Sequence, residues 1–202
     1  VNALVGSVFL ASLLWGVMFG LKWGNFWLNM TLAASLLAAI ALRAQRRSLV
    51  RLFAFRNSFL LVGVASGVVL YFAFFLGDRA SAWLFAFAPE EVSGIYAMKS
   101  QMSRPLIGFL LFALIGPAEE VYWRGFVQDR LSVRYGAFAG WLVGGLAYAG
   151  VHLWAWNFML FMAALACGLF WGGVYWRWKS LWPGIVSHAL WDVAIFVLLP
   201  VR

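Results

Sequence analysis

Seven predominantly apolar runs, at residues 3–21, 26–42, 58–76, 105–122, 136–155, 157–175 and 181–199, are separated by shorter stretches that hold most of the charges. Each run is close to the ~20 residues that carry a helix across the hydrocarbon core of a bilayer. None shows the strict apolar–polar alternation of a barrel strand, and lipid tolerates only helices or closed barrels. The pattern predicts an all-α, polytopic membrane helix bundle of about seven spans, with six to eight as the range. It is read as one integral membrane domain over residues 1–202.

Composition sharpens this picture. The chain is 65% hydrophobic and 11% charged, with a mean hydropathy of +0.89. A soluble domain carries about a quarter charged residues, and a globule of this size could not hide so much apolar surface. The net charge of +8 would suggest nucleic acid in a soluble protein. Here the basic residues lie in the gaps, where membrane topology accounts for them, so no nucleic-acid partner is expected. Gap 43–57 holds Arg43, Arg46, Arg47, Arg51 and Arg56 and no acid. Placing it in the cytoplasm gives about ten basic residues inside against about five outside, with the N-terminus cytoplasmic. The single cysteine, Cys167, excludes an intramolecular disulfide framework. The first residue is Val1, so either the chain is trimmed or its true start is not shown, and run 3–21 lacks the features of a cleavable signal. Residues 77–104 read as an interfacial amphipathic connection with aromatic anchors, the alternative being a lid that guides substrate.

The chemistry-bearing residues are those that lipid disfavours. An ionisable side chain at the centre of a span costs about 2.5–3.5 kcal/mol and marks a functional site by default. Glu119, Glu120, His152, His188 and Asp192 are such residues, and they include both histidines of the chain. Glu120 and Arg124 are four apart, a spacing that allows an ion pair on one helix face. Glu119 is turned about one hundred degrees away and can face a cavity. His188 and Asp192 are also four apart. If the fourth helix runs on to about Leu131, Glu119 lies roughly 18 Å above its end, near the depth of His152 and the last-helix pair. If it stops at Val121, convergence fails.

Glu119-Glu120-Val121-Tyr122-Trp123-Arg124 resembles the E-E-x-x-x-R motif of the CPBP family, also called the CAAX-protease or Abi family. Tyr148 to His152 is similar to its F-x-x-x-H motif, with tyrosine for the usual phenylalanine, a mild change if the ring only packs. His188 to Asp192 is similar to its H-x-x-x-N/D motif, with aspartate where eukaryotic members carry asparagine. The resemblance covers roughly residues 105–195, and the first three spans carry no motif.

The resemblance implies an intramembrane endopeptidase acting on a membrane-associated peptide or protein, with C-terminal processing as one form. Its catalytic residues would be Glu119, His152, His188 and Asp192. A carboxylate withdrawn from bulk water is suited to proton transfer, so Glu119 is expected to activate a water that His152 holds. His188, with Asp192 behind it, would stabilise the oxyanion. Glu120 and Arg124 would fix the helix, and Arg124 could also meet a substrate carboxylate. Glu119, His152 and His188 also form a possible zinc ligand set, but no H-E-x-x-H motif is present, so no cofactor is the favoured reading. Gly63 to Gly67 does not fit a rhomboid serine motif, and the stretch before Asp78 does not fit the G-x-G-D aspartyl motif. A non-catalytic interaction or immunity protein is the rival class. A proton-coupled transporter is weaker, because no repeated half is visible. The compact form suggests a bacterial inner membrane; substrate and oligomeric state are not readable.

Overall fold

A computed structural model describes residues 2–202. Among the described residues, six helices are long and apolar enough to cross a membrane: α1 Asn2–Gly20, α2 Phe26–Ala44, α3 Asn57–Leu84, α5 Arg104–Tyr135, α6 Ala137–Ala155 and α7 Phe158–Trp178. Two shorter helices complete the bundle, α4 Ala88–Ala97 and the apolar α8 Trp182–Leu198. The protein is an all-α polytopic bundle integral to the membrane. Large apolar side chains such as Phe9, Leu61, Phe72 and Trp83 stand exposed on its outside, as lipid-facing positions require.

Local chemistry explains several boundaries. Asn25 caps α2 by accepting from the Leu28 N–H at 3.2 Å, and Asn157 caps α7 by accepting from the Leu160 N–H at 2.7 Å. Between α5 and α6 the chain reverses on Gly136 alone, at φ +91°, a conformation that a side chain would strain.

Two expected boundaries are corrected. The third span does not end at residue 76: α3 continues to Leu84 and takes in Asp78 and Arg79. The helix tolerates both charges because Asp78 is paired with Arg202 and Arg79 lies over the Phe75 ring, 3.5 Å from its centroid. The connection after it is not an irregular loop. It folds as α4, and its Val92, Ile95 and Tyr96 line an internal cavity. Glu91 fastens α4 to α7: its side chain accepts from the Met159 N–H at 2.9 Å and its carbonyl accepts from Asn157 Nδ2 at 2.9 Å.

The sequence Gly63 to Gly67 has a packing role. A Cβ at Gly63 would lie 2.5 Å from Val186 Cβ, and one at Gly67 would lie 3.2 Å from the Ser187 carbonyl. This G-x-x-x-G pair lets α3 approach the backbone of α8 one residue from His188. We expect Gly63→Val to lose about 1–3 kcal/mol through overpacking, read as a lowered thermal midpoint in detergent. An unchanged midpoint would show that α8 is not seated this closely.

At the other end of α5, Asp129 accepts from Arg51 at 2.8 and 3.0 Å, from the Tyr175 hydroxyl at 2.7 Å and from Gln45 at 2.8 Å. Donation to the Asp129 carboxylate holds the Arg51 guanidinium above the usual arginine range, so it stays charged. The arginine-rich gap is thereby tied to α5 and α7.

Candidate active site

The requirement for a long fourth helix is met. α5 continues well beyond Leu131, so Glu119 and Glu120 lie in its middle. They occupy the regular stretch Gly116–Tyr122, flanked by wider π-type turns at Leu111–Ile115 and Trp123–Gln128. Such turns shift side-chain phase along a helix and are frequent at functional sites.

Glu120 is completely buried and Arg124 is 2% exposed. Arg124 Nη1 lies 3.1 Å from Glu120 Oε1, and its Nη2 donates to the carbonyls of Cys167 and Gly168 at 3.3 and 3.4 Å. The guanidinium also packs over the rings of Tyr148 and Trp171, 4.8 and 5.5 Å from their centroids. It is therefore enclosed by protein and is not on the cavity wall, so it does not offer itself to a substrate carboxylate.

The same Glu120 oxygen lies 2.9 Å from His188 Nδ1. This corrects the expected pairing: Glu120 from α5, not Asp192 from the same helix, stands behind His188. Nε2 of His188 points the other way. Glu119 Oε2 and Asp192 Oδ2 each lie 3.6 Å from it. The imidazole stacks on Trp171 with centroids 3.6 Å apart and planes 20° from parallel. The indole of Trp171 is itself fixed by donation to the Ser187 hydroxyl at 3.1 Å.

Glu119 faces the cavity, as its turn away from Glu120 predicts. Its Oε2 accepts from the Tyr148 hydroxyl at 3.2 Å, while Oε1 is buried without a protein hydrogen-bond partner. Tyr148 thus does more than pack: the hydroxyl that phenylalanine lacks reaches the candidate base. His152 opens the last turn of α6. Its Nδ1 lies 2.8 Å from the Tyr148 carbonyl, and its Nε2 accepts from Trp15 Nε1 at 3.3 Å. This pattern corresponds to a proton on Nδ1.

Glu119, Tyr148, His152, His188 and Asp192 line one cavity of about 560 Å³. Its remaining walls are chiefly apolar, with Leu70 and Phe74 from α3, Met162 and Phe170 from α7, and α4 closing one end. A smaller cavity of about 310 Å³ adjoins it, sharing Phe19, Phe26 and Ile95.

Of the possible zinc ligands, His188 Nε2 and Glu119 Oε2 lie 3.6 Å apart, while His152 Nε2 accepts from Trp15 Nε1. His152 has both ring nitrogens engaged, and His188 Nδ1 is committed to Glu120. Among the described residues, no three His, Cys, Asp or Glu side chains are grouped as metal ligands.

The geometry also shows residues that sequence reasoning missed. Trp15 comes from a helix without a motif, and nothing in the sequence signals its contact with His152. Trp171 sits among many tryptophans and is distinguished only by its stacking on His188.

Residues 100–194 match the family described as type II CAAX prenyl endopeptidase Rce1-like. That stretch is just under half of the chain, and over it the chain is similar to the Rce1-like group of the CPBP family. No curated protein and no solved structure matches the chain. The matched segment contains Glu119, Glu120, Arg124, Tyr148, His152, His188 and Asp192, and the match supports a CAAX-protease-like intramembrane endopeptidase. Trp15 and the cavity wall from α3 lie before that segment. The site is therefore completed by helices outside the matched stretch.

Proposed function

We propose that the protein hydrolyses a peptide bond of a membrane-associated peptide or protein with a water activated by Glu119, and without a metal. The observation that carries this reading is the orphaned Glu119 Oε1, a buried acceptor on a cavity-lining residue with no protein donor. A buried acceptor left unmatched costs about 1–3 kcal/mol, and a water bound for reaction offsets that cost.

In this reading Glu119 takes one proton from water as its oxygen bonds to the scissile carbonyl carbon. His152 accepts the water's other hydrogen, which requires its Nε2 to exchange the 3.3 Å contact with Trp15 for it. His188 Nε2 faces the reaction, donates a hydrogen bond to the oxyanion and then passes its proton to the leaving nitrogen. Glu120 orients the ring from behind. Asp192 and Glu119 flank Nε2 and can return that proton, which gives aspartate a use at a position where asparagine would only donate. The carbon–nitrogen bond then breaks as the leaving nitrogen takes the proton from His188 Nε2, and Glu119 restores that proton with the one it took from water. C-terminal processing is the form we favour, at a bacterial inner membrane with the N-terminus inside.

The test is peptide cleavage by the purified protein, in detergent, after exhaustive chelation. We expect full activity. Loss that zinc alone restores would overturn the glutamate reading.

A further inference from the structure

The chain has seven acidic residues, and six of them have a place. Glu119, Glu120 and Asp192 surround His188, Asp129 is held by Arg51, Tyr175 and Gln45, Glu91 fastens α4, and Glu90 is exposed. Asp78 remains. Its side chain is 8% exposed within a long apolar helix, and it lines the same cavity as Glu119. An acid within a membrane helix is costly and marks a site, its partner being the first thing to ask about.

That partner comes from the chain itself. Arg202 Nε lies 2.6 Å from Asp78 Oδ1, and its Nη2 donates to the Asp78 carbonyl at 3.3 Å. Val201, next to it, lines the cavity and donates its N–H to the Tyr96 hydroxyl at 3.3 Å. A short irregular stretch of polypeptide therefore lies at the α4 end of the cavity. Its backbone is on a tyrosine, an apolar side chain points inward and a guanidinium sits on an acid. Arg79, the neighbouring cation on α3, is turned away over Phe75 and does not compete.

We propose that Asp78 is a specificity site for a cationic side chain, arginine or lysine, of the substrate polypeptide, and that Arg202 occupies it in cis. The proposal rests on the peptide-hydrolysis reading above. It also sets a distance. Gly67 packs beside His188, and Asp78 lies eleven residues further along α3, about 16 Å at the helical rise. An extended chain at ~3.3–3.6 Å per residue places the cation about three to five residues from the scissile bond.

The experiment uses fluorescein-labelled, leucine-rich peptides with one arginine, each beside a twin with glutamine at that position. Binding is measured by anisotropy to detergent-solubilised wild type, Arg202→Gln and Asp78→Asn, with thermal midpoints as the folding check. Cut bonds are mapped by mass spectrometry. We expect Arg202→Gln to bind arginine peptides about tenfold tighter than their twins. Wild type should discriminate less, Asp78→Asn should not discriminate, and arginine three to five residues from the cut should be best. Equal binding of twins by Arg202→Gln overturns the proposal, a comparison that needs no change at Asp78. Discrimination without any cleavage supports the site and counts against hydrolysis. Cleavage of both twins with equal kcat/KM sinks the site and leaves hydrolysis standing.

Discussion

Glu119→Gln is expected to lower peptide hydrolysis by about 10²–10⁴-fold, the range typical of a general acid–base group, while the protein still folds. Glutamine keeps the shape of the side chain and a carbonyl oxygen for the Tyr148 hydroxyl, which now stands 3.2 Å from Oε2. What it lacks is a site that takes a proton from water. The loss should therefore fall on kcat, with KM and the thermal midpoint close to wild type. A Glu119→Gln protein that cuts peptides at the wild-type rate would remove Glu119 from the chemistry and leave Asp192 as the acid beside His188 Nε2.

The largest effect on stability is expected from Glu120→Ala. That carboxylate is the counter-charge of Arg124, which is 2% exposed, and the acceptor for His188 Nδ1. Removing one partner of a buried ion pair costs about 3–5 kcal/mol, because the other charge is left in the interior unmatched. Thermal unfolding in detergent should show a large drop for Glu120→Ala and a smaller one for Glu120→Gln, which keeps an oxygen for His188. A wild-type midpoint in the alanine protein would mean that Arg124 is satisfied by the Cys167 and Gly168 carbonyls alone.

The spans were largely legible because hydropathy is a property of a contiguous run. Run 26–42 became Phe26–Ala44, and run 157–175 became Phe158–Trp178. The third helix was cut short because Asp78 and Arg79 interrupt the hydropathy, while the Arg202 partner and the Phe75 ring that accommodate them are invisible to a local window. At the site, i,i+4 spacing correctly paired Glu120 with Arg124, two residues on one helix. The same rule paired His188 with Asp192 and missed Glu120, because spacing along one helix carries no information about what a second helix brings. The Trp15–His152 contact joins residues 137 positions apart, beyond the reach of any local pattern. The Tyr148 substitution was visible, yet its hydroxyl acquired meaning only when Glu119 was found opposite it.

Glu91 ties the cavity wall built by α4 to the wall built by α7. Its carboxylate accepts from the Met159 N–H, while Asn157 holds the Leu160 N–H, and Met159 and Met162 both belong to the chamber wall. A displacement of α4 would withdraw that acceptor from the first turn of α7, so the two walls are expected to shift together and not independently.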